Sequence, residues 1–272
     1  MAFLSDITLG RYIATESVVH RLDPRTKLLA TLMVMSSVII GNRFEPLYLF
    51  SVFLGSVVLL SRLYVRLVLK NIRPFLWLFA FTFLLHAFLT PGRTWYVSPG
   101  GWVTLTREGV EKGLFFSFRL SVLVVAASLM TLTTSPLDLA DGLERLLRPF
   151  QRLGLPTHEL AIMVSIALRF IPTLIEEADR LRKAQLARGA DFGGNLLRRV
   201  RSLIPLLVPL FLSAFRRADQ LAVAMEARGY RGGQGRTHFI ELKFKRSDYV
   251  ALAVTLSVCL TALFTPTLVD MP

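Results

Sequence analysis

The sequence has little of what metal or enzymatic chemistry requires. Its single cysteine, Cys259, excludes an internal disulfide framework and any cysteine-rich metal site. Four histidines, His20, His86, His158 and His238, are scattered without ligand spacing, so no metal site is expected. No Gly-Lys dipeptide occurs, which rules out a Walker A loop in this chain. Acids are outnumbered, 19 against 32 Lys and Arg for a net charge of +13, and the apolar runs hold almost none. A membrane enzyme would need clustered acids, a metal set or an activated nucleophile near the bilayer, and none of these is visible.

What is present is apolar sequence. Of the 272 residues, 53% are hydrophobic, and the mean hydropathy is +0.52 beside a pI near 10.7. A soluble nucleic-acid binder would be basic but not so apolar, so nucleic acid is not an expected partner. An anionic bilayer surface suits this charge better. Charge-free windows occur at 28–42, 46–61, 74–92, 120–137 and 249–269. About 20 helical residues cross ~30 Å of hydrocarbon, a length that the last three windows approach or reach. Flanking Arg and Lys can snorkel and extend the first two.

The expected fold is therefore all-α, a polytopic membrane protein with about five transmembrane helices. No signal peptide is visible in the first 27 residues, which carry Arg11, Arg21, Arg25 and Lys27 but no apolar core. Those basic residues, and Arg62, Arg66, Lys70 and Arg73 after the second window, put both segments in the cytoplasm. The link 41–45 and the mixed, aromatic loop 91–112 then lie outside. The domain organisation read from this is a four-span bundle over 1–134, a membrane-apposed coupling domain over 135–248, and a last span over 249–272.

The middle block carries 19 of the Lys and Arg. Ser135-Pro136-Leu137-Asp138 reads as an N-cap, a proline at N1 and an acid at N3, opening an amphipathic helix to about Leu153. Two apolar runs, 160–175 with Arg169 and Pro172, and 202–215 with Pro205 and Pro209, read as short buried or partly immersed helices.

The block also repeats itself at an offset of 40. Ala178, Asp179, Leu181, Ala184, Ala187, Arg188, Gly189 and Gly193 match Ala218, Asp219, Leu221, Ala224, Ala227, Arg228, Gly229 and Gly233. Each copy is a helix ending in Ala-Arg-Gly, predicted from about Pro172 to Arg188 and from about Pro209 to Arg228. Leu174, Ala178, Leu181, Gln185 and Arg188 share one side, as do Ala218, Leu221, Met225 and Arg228. Glu176 with Arg180, and Asp179 with Lys183, are i,i+4 pairs on the wet side. Glycine after the last turn is a helix stop, and arginine there suits the dipole.

Such an arginine can be a simple cap. In two copies at identical spacing, with small flanking residues, it reads as a plug for a carboxylate-lined socket. Two plugs imply two equivalent sockets. Gly229-Tyr230-Arg231-Gly232-Gly233-Gln234-Gly235 has no preceding strand and no following lysine, so it reads as a flexible helix end rather than a phosphate loop.

These paired helices resemble those of the transmembrane T component (EcfT) of energy-coupling factor transporters, the CbiQ/EcfT family. The resemblance covers nearly the whole chain. It extends to Val19-His20-Arg21-Leu22-Asp23-Pro24-Arg25-Thr26-Lys27-Leu28, to Leu168-Arg169-Phe170-Ile171-Pro172-Thr173-Leu174, to 204–214, and to Met225-Glu226-Ala227-Arg228-Gly229-Tyr230. It is nearest to the T proteins shared among several vitamin carriers.

The resemblance implies a non-catalytic subunit of the prokaryotic cytoplasmic membrane, with its N-terminus inside. Ala187, Arg188, Gly189, Ala227, Arg228 and Gly229 would dock on two ABC-type ATPase subunits (EcfA and EcfA′ type). These bind the ATP, so no cofactor is expected in this chain. Substrate-binding S components would be moved in the bilayer for vitamin or micronutrient import. His20, Arg21, Asp23, Pro24, Arg25 and Arg169 are either structural or partner contacts, with Glu159 and Glu176 as possible partners for Arg169. The alternatives are a T component dedicated to one substrate, of the cobalt/nickel or biotin type, and an autonomous secondary transporter. The latter would place its repeat and its ionisable groups among the spans. Arg119 and His86, alone in their spans, read as snorkelling or hydrogen-bonded side chains.

Overall fold

A computed structural model describes residues 15–97, 104–147, 149, 157–190, 195–232 and 244–264. It is an all-α membrane protein, divided into two compact units, one within 10–142 and 242–272 and the other within 143–241.

The first unit is built from α1 (Pro24–Ile40), α2 (Phe44–Leu60), α3 (Val65–Ile72), α4 (Leu76–Leu89), α5 (Arg107–Thr133) and α9 (Arg246–Phe264). Each charge-free window has its helix. Three stretches, Val65–Leu89, Arg107–Thr133 and Arg246–Phe264, are long and apolar enough to cross a membrane, while α1 and α2 have 17 residues each. The basic segment 62–73, read from the sequence only as a link between the second and third windows on the cytoplasmic side, is largely helical. α3 runs through a single 3-10 turn, Arg73–Phe75, into α4. Pro74 sits at the start of that turn, where its missing N–H is tolerated. The loop expected at 91–112 is instead a small antiparallel ribbon, β1 (Thr94–Val97) with β2 (Thr104–Thr106), followed directly by α5. Residues 98–103, and the part of the last window beyond 264, lie outside the described residues.

The core gathers Val34 and Val38 of α1, Phe50 and Leu54 of α2, Leu132 of α5 and Cys259 of α9. α4 lies close on α5 along Gly109, Gly113 and Ser117. A Cβ on Gly113 would stand 2.8 Å from the Phe83 carbonyl oxygen, so only glycine permits this approach. Ser117 Oγ adds a bond to the Phe79 carbonyl at 3.0 Å. Large apolar side chains such as Tyr48, Leu59, Trp77 and Leu89 point outward, as lipid-facing positions do.

Arg119 is hydrogen-bonded. From the middle of α5 it donates to the carbonyls of Val38, Ile39 and Gly41, the otherwise unpaired end of α1. Its guanidinium also lies over the Phe115 ring, 5.4 Å from the centroid. His86 Nδ1 bonds the Thr82 carbonyl at 2.9 Å and its ring stacks on Phe116.

The second unit is dominated by α7 (Thr157–Ala187) and α8 (Leu196–Ala227). The apolar runs at 160–175 and 202–215 are not separate short helices. They are the first halves of α7 and α8, which begin well before the predicted starts at Pro172 and Pro209 and carry those prolines inside. A proline removes one backbone bond and bends a helix, but long apolar helices tolerate it when the flanking turns persist. α6 (Pro136–Leu147) joins the two units. Its start is as read: Ser135 Oγ accepts from the Asp138 N–H at 3.1 Å and donates to Asp138 Oδ2 at 2.6 Å. Its predicted continuation to Leu153 lies, apart from residue 149, outside the described residues.

Candidate partner-docking site

The two Ala-Arg-Gly segments end their helices in the same way. Gly189 and Gly229 have φ of +84° and +73°, the left-handed conformation that only glycine adopts without strain. The Ala190 N–H donates to the Gln185 carbonyl and the Gly189 N–H to that of Leu186, both at 3.0 Å. At the second end Tyr230 N–H donates to Met225 (3.0 Å) and Gly229 N–H to Glu226 (2.9 Å). Each is a complete Schellman motif, with the arginine as the capping residue just past the last helical turn. Ala187, Arg188, Gly189 and their counterparts Ala227, Arg228 and Gly229 are all exposed, so both guanidiniums are available to a partner. The last pair of the repeat, Gly193 and Gly233, lies outside the described residues.

The helices meet at a charged contact. Arg217 Nη2 of α8 donates to Glu177 Oε2 of α7 at 2.9 Å, with both side chains about three-quarters covered. From Glu177 back to residues 162–169 of α7 the facing residues run forward from Arg217 to Leu221 and Met225 of α8 and on past its end, so numbers fall on one helix as they rise on the other. The pair is thus antiparallel around Glu177 and Arg217. Arg188 and Arg228 each follow that contact by 11 residues, so each stands about 16 Å along its own helix from it, at opposite ends.

One of the two predicted ion pairs forms, Lys183 with Asp179 at 2.6 Å. The other does not: Arg180 turns to Glu177 at 3.6 Å instead of Glu176, because Glu177 already faces the α7–α8 contact and Glu176 points outward. Arg169 forms no pair with Glu159 or Glu176 among the described residues. It lines the cleft at the Arg228 end with Ser165, Met225, Tyr230 and Arg231.

The His20–Arg25 segment is placed in the first unit, mostly turned inward. Asp23 caps α1 by accepting from the Arg25 N–H at 3.0 Å, and Pro24 takes the first helical position. The Asp23 N–H donates at 2.8 Å to Oδ1 of Asp248, which is fully buried and accepts from the Lys245 N–H through Oδ2 at 2.7 Å. Lys27 Nζ donates to the carbonyls of His20 (3.1 Å) and Thr133 (2.8 Å), locking the start of α1 to the end of α5. Arg25 lies over the Phe244 ring, and Arg21 forms an exposed pair with Glu16. Among the described residues no group of three or more His, Cys, Asp or Glu could hold a metal ion.

Sequence reasoning passed over Glu177 with Arg217, although these too are 40 residues apart. A self-comparison scores identity, and here the two copies carry opposite charges. Asp248 was missed: its bond back to the Lys245 N–H is an ordinary helix-start contact, and nothing local marks the second bond, to a residue 225 positions away.

With that geometry in place, the chain compares directly with known proteins. The family model CbiQ, described as cobalt transport protein, matches residues 15–239. The chain belongs to the CbiQ family. Curated relatives within reach of it carry the name "Energy-coupling factor transporter transmembrane protein EcfT". One from Acidaminococcus fermentans is 48% identical over 260 residues, covering 94% of this chain and 95% of the relative. One from Heliobacterium modesticaldum is 51% identical over 257 residues, covering 94% of each chain. One from Bacillus subtilis is 44% identical over 262 residues, covering 96% of this chain and 98% of the relative. This CbiQ-family chain is accordingly a transmembrane transport component of the energy-coupling factor class.

Proposed function

We propose that this chain is the coupling subunit of an energy-coupling factor importer in the cell membrane, with its N-terminus in the cytoplasm. Arg188 and Arg228 dock in carboxylate-bearing grooves of two ABC-type ATPase subunits. ATP is bound and hydrolysed in those subunits, and this chain catalyses nothing. When the ATPases close and separate, the two tips follow, and α7 and α8 pivot about Glu177 and Arg217. That motion reorients an S component, which delivers its vitamin or other micronutrient to the cytoplasm.

The observation that carries this reading is the pair of identically capped, exposed arginines at opposite ends of one antiparallel helix pair. A planar five-donor guanidinium on a rigid helix end fits a carboxylate bidentately. The shared type of T component is preferred over one dedicated to a single substrate on the resemblance of the arginine-tipped helices alone, and the number of different small proteins recovered with the chain decides between the two.

A mild-detergent pull-down from native membranes, followed by mass spectrometry, tests it. Two ABC-type ATPases and several different small hydrophobic proteins are expected. One small protein alone would mark a dedicated component. A chain recovered alone, from membranes that contain such ATPases, would overturn the coupling role.

A further inference from the structure

The cleft at the Arg228 end of the α7–α8 pair has a volume of about 690 Å³. Arg169 enters it from α7, and Arg228 and Arg231 from the end of α8. No carboxylate lines it, and none of the three guanidiniums is in an ion pair among the described residues. Arg228 is the group assigned to the ATPase groove, which leaves Arg169 and Arg231 as two like charges in one cleft without a counter-charge, and an anion that both share relieves their repulsion. The hydroxyls of Ser165 and Tyr230 stand in the same lining.

The other half of the lining is apolar. Ile162, Ile166 and Leu221 continue the cleft, and beside them on α7 the side chains of Leu160, Met163 and Val164 are exposed. A small soluble anion would use the arginines and leave this surface bare. A molecule with a phosphate at one end and a hydrocarbon chain at the other uses both.

We propose that this cleft binds an anionic phospholipid. Its phosphate is held between Arg169 and Arg231, and the first part of an acyl chain lies on Ile162, Ile166 and Leu221. The repeat does not carry these residues to the other tip. Forty residues from Arg169 the repeat has Pro209, from Arg231 it has Asp191, and from Tyr230 it has Ala190. Lipid binding therefore distinguishes the two ends of a pair whose arginine caps are alike.

Native mass spectrometry of the full chain in detergent, given equal amounts of phosphatidylglycerol and phosphatidylcholine of the same chain length, reads the preference. The chain should retain phosphatidylglycerol over phosphatidylcholine, with Arg228 kept intact throughout so that ATPase docking is not in question. The Arg169→Gln, Arg231→Gln double variant should lose about tenfold or more of that preference, as loss of hydrogen bonds to a charged group implies. An Arg182→Gln, Arg216→Gln variant removes the same charge outside the cleft and should keep the preference. Circular dichroism checks that each variant retains its helices.

Excess glycerol 3-phosphate, a soluble phosphate ester without an acyl chain, should not displace the lipid. Displacement at concentrations comparable to the lipid would make this a soluble-anion site and overturn the lipid assignment. Equal retention of both lipids, or an unchanged preference in the Arg169, Arg231 variant, would overturn the proposal outright.

Discussion

Glu177 and Arg217 occupy the same position in the two copies of a 40-residue repeat, and they bond to each other at 2.9 Å. Two helices related by an approximate two-fold axis bring equivalent positions together only at that axis. The pair therefore marks the centre about which the two arginine tips are disposed. A like-for-like repeat would have placed equal charges there; opposite charges turn the meeting point into a bond.

Removing either partner should loosen the helix pair without melting either helix. Both groups are partly covered, so a double-mutant cycle of Glu177→Gln and Arg217→Gln should give a coupling of about 1 kcal/mol, at the upper end for such pairs. Denaturation of the detergent-solubilised chain measures it. A coupling indistinguishable from zero would remove Glu177 and Arg217 as the pivot.

The helix stops depend on backbone conformation alone. Nothing lies within 4 Å of a Cβ placed on Gly189 or Gly229, so an alanine there meets no clash. It does meet the left-handed φ, at a cost of about 1–2 kcal/mol. Gly189→Ala and Gly229→Ala should each weaken ATPase co-purification by re-aiming the neighbouring arginine, and asparagine should be milder than alanine. Equal behaviour of alanine, asparagine and glycine would show that the cap does not aim the side chain.

Asp248 ties the start of α9 to the start of α1 through two backbone N–H groups. Asp248→Ala should cost roughly 2–3 kcal/mol or more, since it leaves those donors without their charged acceptor in a buried place. A fall in the melting temperature of the purified chain checks this. An unchanged melting temperature would mean that water replaces the carboxylate.

Arg119 supplies donors to three carbonyls at the end of α1. Arg119→Leu should destabilise the first unit by about 1.5–3 kcal/mol. Lysine should restore only part, because a single ammonium cannot reproduce the planar fork. Full restoration by lysine would show that charge alone matters at this position.

How far the sequence could be read followed the range of the physics involved. Charge-free windows located the five apolar helices of the first unit because composition alone decides what enters a bilayer. The Ser135 cap and the two glycine stops were legible because capping is local, within a few residues. The starts of α7 and α8 were not. Pro172 and Pro209 read as boundaries, whereas the helices run through them and expose apolar side chains such as Val208 and Phe211. Contacts that close over long separations, Asp23 to Asp248 and Arg119 to Val38, leave no mark in any short window. The lining of the cleft at Arg169 likewise appears only when both helices are placed.

The central claim is that Arg188 and Arg228 together hold the ATPases. Its most direct test is co-purification of the ATPase subunits with an Arg188→Ala, Arg228→Ala chain, expressed in its native membrane and checked for normal insertion. Losing one desolvated charge-assisted contact at each tip should cost ~2–5 kcal/mol per site, enough to abolish recovery of the ATPases under washing that retains them on the unaltered chain. Full recovery of both ATPases with undiminished uptake would contradict the account and leave the two arginines as helix caps only.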